Sequence, residues 1–312
     1  MKSPHFSARL MVASVLGVIG ALAATPAAAA LRVVATTPEY GALAAAIGGK
    51  GVQVSTLCKA TEDPHFVDAR PSHIVTLNKA DILIESGADL EVGWLPPLID
   101  GSRNPKIQVG APGRVRASEG VRLLDVPAVL DRSQGDVHAV GNPHFLMDPE
   151  NARVVAKHLA EAFCAIDAAS CDAYRSSQAA FDKRLTDKLA EWQAELAPFH
   201  GRPIVTYHAT WRYFAQRFGL ESEIFLEPKP GIPPSPPHLA SVIEKMQSQK
   251  IRTILVEPFQ SRKTAQAVAE RTGAAVVDVC QFPGGLPNTD DDYIAMIDAN
   301  VKAIAAALRQ AG

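Results

Sequence analysis

The chain has 312 residues, 47% of them hydrophobic and 21% charged, with a formal net charge of −2. A binder of DNA or RNA needs a concentrated basic face to displace counterions, so this mild acidity argues against a nucleic-acid partner. After the first thirty residues no stretch is apolar for the ~20 residues that a bilayer span needs, and a soluble globular protein is expected.

Residues 1–30 read as a cleaved secretory signal. Lys2 and Arg9 form a positive start, Leu10 to Ala24 is a short apolar run, and Thr25-Pro26-Ala27-Ala28-Ala29-Ala30 supplies the small residues that a signal peptidase accepts. The first cysteine is Cys58, so no lipid-attachment site follows the apolar run, and a freely diffusing periplasmic protein is expected. The remaining chain, about 280 residues, is long enough for two lobes of ordinary domain size.

From residue 31 to about 170, β-type runs alternate with helical ones. Leu31 to Thr37 reads as a strand, Tyr40 to Ile47 as a helix, Val52 to Leu57 as a strand and Ser72 to Asn78 as a helix. Ala80 to Ser86 and Lys106 to Val109 continue the strand series. Strands separated by helices imply a parallel sheet with helices on its faces. Cys164 and Cys171 lie where one helix ends and another begins, so a local disulfide is expected between them; Cys58 and Cys280 are left free to pair, to stay buried or to tune a nearby site.

Tyr174, Gln178, Phe181, Leu185, Leu189, Trp192 and Leu196 recur at steps of three or four, the spacing of one helix face, and nothing interrupts them until Pro198 and Gly201. A single helix from about 172 to 197, on the order of 40 Å long, is expected within a connecting segment 171–200. A second α/β run fills 201–312. Its strands are Pro203 to Tyr207, Thr253 to Glu257 and Ala274 to Asp278, and its helices lie at about 209–218, 238–249, 262–272 and 290–310. The proline-rich stretch Leu226 to Pro237 reads as a stiff surface connection. The expected fold class is α/β: two lobes, each a parallel sheet flanked by helices, joined by one long rigid helix.

Three histidines stand where a strand or loop hands over to a helix. Asp63-Pro64-His65-Phe66 and Asn142-Pro143-His144-Phe145 are near copies, and in each the proline stiffens the backbone that presents the imidazole. His208 closes the run Val205-Thr206-Tyr207-His208 at the edge where open α/β sheets place ligands, and Asp278 ends Val276-Val277-Asp278 at the same kind of edge. Three neutral imidazoles and one carboxylate suit a tetrahedral divalent ion, Zn²⁺ above all. Taken singly, each residue has a plainer reading as a turn or capping residue.

With those motifs the chain resembles the metal-specific solute-binding proteins of ABC transporters, the ZnuA/TroA-like group. The likeness rests also on Arg70-Pro71-Ser72, Leu146-Met147-Asp148-Pro149, Tyr207-His208-Ala209, Tyr213-Phe214-Ala215, Val256-Glu257-Pro258-Phe259, Lys263-Thr264-Ala265 and Thr272-Gly273-Ala274. It implies two lobes of four-stranded parallel sheet and a metal held between them by His65, His144, His208 and Asp278. It also implies Zn²⁺ rather than Mn²⁺, because manganese-binding members tend to carry Glu where His208 stands.

The implied role is a periplasmic receptor, a monomer that hands its ion to the membrane permease of an ABC importer, with a periplasmic metallochaperone as a further candidate partner. Where many zinc-binding relatives carry a long His-rich loop, Asp131 to Gly141 offers only Asp136 and His138, which argues against a multi-zinc receptor; His138 reads as a solvated loop residue, with contact to an incoming ion as the alternative reading. Glu257 is the alternative fourth ligand; Asp63, Arg70 and Asp148 are candidates for orienting ligands; His73, His158, His200 and His238 read as surface or capping residues. Two other functions fit three histidines. A secreted zinc hydrolase would leave the fourth position to water, but there is no His-Glu-x-x-His helix and a carboxylate is available to close the site. A receptor for a chelated metal would want a roomier cleft lined by Tyr or Arg.

Overall fold

The structure, a computed structural model, describes Met1 and residues 30–128, 138–229, 231–289 and 292–311. Positions 2–29 of the expected signal segment, and Asp136, lie outside the described residues.

In the first lobe, β1 (Leu31–Ala35), β2 (Val52–Thr56), β3 (Ile82–Glu85) and β4 (Arg114–Arg116) form a parallel sheet in the order β2-β1-β3-β4. In the second, β5 (Pro203–Thr206), β6 (Glu221–Phe225), β7 (Thr253–Val256) and β8 (Ala275–Asp278) form another in the order β6-β5-β7-β8. The helices are α1 (Pro38–Gly48), α2 (Pro71–Asn78), α3 (Leu95–Ser102), α4 (Pro149–Ile166), α5 (Cys171–Leu196), α6 (Arg212–Phe218), α7 (Pro236–Ser248), α8 (Arg262–Thr272) and α9 (Tyr293–Gln310).

Two elements differ from the sequence reading. Lys106 to Val109 is not a strand: Pro105–Ile107 forms a short 3₁₀ turn whose Lys106 N–H is capped by Asn104, and the fourth strand is Arg114–Arg116, three residues too polar to announce themselves. Strand β6, with alternating exposed Glu221 and Glu223 and buried Ser222, lacks the apolar run that marks its neighbours.

Side-chain alternation along the strands divides the interior into three layers. Val33, Ala35, Ile82 and Ile84 from the first sheet and Ile204, Leu255 and Val277 from the second share one continuous core with α1, α4, α5, α6 and α9. The opposite faces are covered separately: Val34 and Leu83 by α2 and α3, and Val205, Ile254 and Val256 by α7 and α8. Helix α5, 26 residues long, buries Tyr174, Phe181, Leu185, Leu189, Trp192 and Leu196 on one face, the face the sequence spacing indicated. Each such side chain contributes on the order of 1.5–3 kcal/mol of burial, which ties α5 to both lobes. Cys164 and Cys171 form a disulfide at the junction of α4 and α5, while Cys58 and Cys280 are buried free thiols. Among the described residues no helix is long and apolar enough to cross a membrane.

Candidate metal centre

Both Pro-His turns use the same backbone device. The His65 N–H donates to Asp63 Oδ1 at 3.0 Å, and the His144 N–H to Asn142 Oδ1 at 3.0 Å, so in each case a short polar side chain folds over its own proline to hold the histidine backbone. Trp94 adds a brace in the first turn, donating its indole N–H to the Pro64 carbonyl at 2.8 Å. The second turn is tied to the other lobe: Asn142 Nδ2 donates to the Ala209 carbonyl at 3.0 Å, and the Tyr213 hydroxyl donates to the Asn142 carbonyl at 2.7 Å. His208 comes directly off β5, its carbonyl accepting from the Thr206 hydroxyl at 2.7 Å.

These three elements bring His65, His144 and His208 together. One ring nitrogen of each lies within 4.8 Å of the others, and the ring centroids are 5.1–5.3 Å apart. Each Nδ1 faces an acceptor: Asp63 Oδ1 at 2.9 Å for His65, Gln281 Oε1 at 3.1 Å for His144 and Glu227 Oε1 for His208. A carboxylate or carboxamide oxygen can only accept, so each Nδ1 carries a hydrogen, and in the neutral imidazole each Nε2 then presents a lone pair. His144 Nε2 is buried with no hydrogen-bond partner, an orphan that a buried polar atom does not normally remain. The three rings open on a cleft of about 220 Å³ whose walls include Phe66, Ile232, Pro233, Pro234 and Phe259. The proline-rich stretch is therefore a wall of this cleft and not only a surface connection.

The electrostatics pull His144 and His208 in opposite directions and add a buried acid. Burial, reinforced by the charges of His208, His65 and His138, pushes His144 well below the usual histidine range. For His208 burial acts in the same direction, but the hydrogen bond and charge of Glu227, together with the charges of Glu257 and Asp63, hold the group above its ordinary value. Glu257, 2% exposed, is pushed up to about 8 by burial, against the opposing pull of His208. Its Oε2 accepts from Thr210 at 3.3 Å and from Gln260.

Asp278 departs from the expectation. The structure does not bring it to the three histidines: its side chain is 58% exposed and ion-paired with Arg262 at the start of α8. Strand alternation is the reason. Val277 faces the shared core, so Val276 and Asp278 face the α7–α8 side, away from the cleft. In register Asp278 lies beside Val256, one residue short of Glu257 on the neighbouring strand. Glu257 is the buried carboxylate at this edge, yet it too lies outside the histidine cluster.

Of the residues expected to orient ligands, only Asp63 does so. Asp148 caps α4 through the Glu150 N–H and pairs with Arg217 at 2.6 Å, and Arg70 pairs with Glu62 at 3.6 Å. His73, read as a surface or capping residue, is buried in the face of α2. Sequence reading missed Gln281 and Glu227. Nothing local marks a lone Gln or Glu in a loop; only the need of each imidazole for an acceptor behind it could have prompted a search.

The chain matches, over residues 33–307, the family model described as ZnuA, zinc-uptake complex component A, periplasmic. It belongs to that family. It is 22% identical over 290 residues to the manganese ABC transporter substrate-binding lipoprotein PsaA of Streptococcus pneumoniae, covering 90% of this chain and 89% of that one. It is 23% identical over 287 residues to the iron ABC transporter substrate-binding lipoprotein MtsA of Streptococcus pyogenes serotype M1, covering 89% of each. Among solved structures the fold matches a crystal structure of ZnuA at TM-score 0.75 and 23% identity, over 89% of this chain and 99% of that one. It also matches FpvC of Pseudomonas aeruginosa in complex with Mn²⁺ at TM-score 0.76 and 22% identity, over 90% and 99%. The protein is thus a metal-binding substrate-binding protein of an ABC transporter and not an enzyme, which sets aside the hydrolase reading. Proteins of this kind work with permease and ATPase components.

Proposed function

We propose that this member captures Zn²⁺ in the periplasm, with His65, His144 and His208 as ligands, and delivers it to the permease of its importer. The observation that carries the reading is the gathering of one ring nitrogen from each of His65, His144 and His208 within 4.8 Å of one another, from both lobes, with an acceptor at the Nδ1 of each ring. Imidazole nitrogen suits Zn²⁺, whereas Mn²⁺ prefers harder oxygen donors, and the general affinity order of divalent ions favours zinc in the same direction. The relatives whose names print manganese or iron share the family, but the choice of ion depends on ligands, and those here are nitrogen. The secretory features of residues 1–30 support the periplasmic location.

Elemental analysis with native mass spectrometry, on protein purified without added metal, tests the proposal: one zinc per chain is expected, and competition should favour Zn²⁺ over Mn²⁺ by at least about 100-fold. A triple His65→Ala, His144→Ala, His208→Ala protein that still held one tightly bound zinc, or a wild type that preferred Mn²⁺, would overturn it.

A further inference from the structure

The Asn142 carboxamide stands between two of the clustered histidines, one from each lobe. Its Oδ1 accepts from the His144 N–H at 3.0 Å, and its Nδ2 donates at 3.0 Å to the carbonyl of Ala209, the residue after His208. One planar group thus spans the backbones that carry His144 and His208, and those two rings are the closest pair of the three, with centroids 5.1 Å apart. Asn142 is 6% exposed, so a contact that it loses leaves a polar atom stranded.

What holds the carboxamide lies further out. Its Nδ2 also donates to Asp125 Oδ2 at 3.1 Å, and Asp125 Oδ1 accepts from Arg212 Nη2 at 3.2 Å. Arg212, the first residue of α6, is in turn tied to β6 through the Ser222 carbonyl at 3.0 Å and the Glu223 carboxylate. The backbones are joined as well. The Asn142 N–H donates to the Leu124 carbonyl at 2.8 Å, while the Tyr213 hydroxyl accepts from the Leu124 N–H at 2.8 Å and donates to the Asn142 carbonyl at 2.7 Å. Asp125 reaches its place from a φ of 52°, a left-handed conformation that few residues other than glycine adopt and that the surrounding contacts must hold.

The arrangement calls for a carboxylate at 125. A carboxamide turned by 180° would exchange its Oδ1 and Nδ2, and the His144 N–H would then face a donor. Two oxygens that only accept, those of Asp125 and of the Ala209 carbonyl, oppose that exchange. Asparagine at 125 would have to meet two donors, Asn142 Nδ2 and the Arg212 guanidinium, with a side chain that accepts at one end only.

From this network we infer that Asp125 and Arg212 are positioning residues of the metal site, which set through Asn142 the spacing of His144 from His208 across the lobes. The inference rests on the zinc-receptor reading above. None of these contacts uses an imidazole atom, so the network holds the two backbones independently of the ion and lowers the ordering that binding has left to do. The cluster is thereby unequal. His65 is braced by Asp63 and Trp94 of its own lobe, whereas His144 and His208 are held as a pair by residues of both.

Zinc dissociation constants from chelator competition test this on the full mature chain, with each variant checked for fold by circular dichroism. Asn142→Ala should weaken binding by about 100-fold, and Asp125→Ala or Asp125→Asn by about 10-fold, the lower figure because Asp125 acts one residue further out. Double variants decide the matter. Added to Asn142→Ala, Asp125→Ala should cost no more than about twofold, because the carboxamide that it orients is gone; added to Asp63→Ala, with which it shares no hydrogen bond, it should cost its full ~10-fold. Arg212→Ala gives a second cycle that leaves Asn142 in place: combined with Asp125→Ala it should weaken binding no further than Asp125→Ala alone. A merely structural role would cost the same factor in every background, and that result overturns the inference. So does Asp125→Ala binding within about twofold of wild type while His144→Ala loses tight binding, an outcome that leaves the receptor reading standing. If His144→Ala too binds like wild type, the receptor reading itself falls, and this inference with it.

Discussion

The two lobes are built on the same plan, four parallel strands with the first strand inside and the second at the edge, yet they serve the cleft in opposite ways. The second lobe uses its sheet: His208 follows β5 directly and Glu257 follows β7. In the first lobe the corresponding strand ends are filled by a buried polar net in which Glu91 accepts from the Thr36 hydroxyl at 2.6 Å and from the Ser86 N–H at 2.8 Å. Its histidines come instead from Pro-His turns outside the sheet. A sheet edge gives position at no local expense, because the strand is already fixed by its neighbours; a loop must carry its own bracing, and Asp63, Asn142 and Trp94 supply it.

That difference predicts unequal consequences when the acceptor behind a ring is removed. Asp63 holds both the backbone N–H and the Nδ1 of His65, whereas Glu227 holds only the ring of a histidine already placed by β5. Chelator competition should therefore give a loss of zinc affinity near about 100-fold for Asp63→Ala and nearer about 10-fold for Glu227→Ala, the two ends of the range typical of such partners. Equal losses, or a larger one for Glu227→Ala, would mean that the loop needs no more bracing than the strand end.

The contrast also explains what could be read from the sequence. The strands of both sheets that run through the interior announce themselves as apolar runs, and α5 as a 3.6-residue period, because burial on one or both faces leaves that signature. Strands β4 and β6 carry Arg114, Arg116, Glu221 and Glu223 at exposed or partly exposed positions, and so were not legible. At the site, His65 and His144 could be picked out because a turn braced by its own Asp or Asn is a local device. His208 was marked by the end of its strand. Asp278 ends a strand as clearly, but whether a strand-end side chain faces the cleft depends on alternation relative to the core, and here Val277 takes the core face. His138 stands in a stretch with no periodicity, where a solvated position is the default reading, and its contacts with Asp89 and His65 are reached only through the fold.

The buried net of the first lobe gives it a pH response of its own. Burial pushes Glu39 up to about 8 and Glu91 up to about 7, with the charge of Glu91 adding to the rise at Glu39 and that of Glu85 to the rise at Glu91. Both are therefore protonated in the native state over a range where they are ionised in the unfolded chain, whose value is near 4.5. The native state then binds more protons than the unfolded one, so this contribution to stability is present in full at low pH and is lost as pH rises from about 4.5 to about 8. Replacing Glu39 with Gln removes one of the two groups. Denaturant unfolding of the metal-free protein from pH 5 to 9 should show wild type losing stability relative to Glu39→Gln as pH rises, with the gap closing on the acid side. A gap independent of pH would mean that Glu39 is already ionised in the fold.

The smallest effect is expected at the edge of the second lobe. The Arg262–Asp278 pair has side chains 45% and 58% exposed, and water and salt screen such pairs until they contribute under about 1 kcal/mol. Arg262→Ala should accordingly leave the unfolding midpoint almost unchanged. Its value lies in zinc affinity, because removing Arg262 frees Asp278 from its only ion-pair partner among the described residues. If strand alternation alone keeps Asp278 on the α8 face, affinity should stay within about twofold of wild type, since no ligand has moved. If instead affinity rises several-fold, the released carboxylate has reached the ion, and the second lobe supplies a ligand from its edge strand as well as from the end of β5.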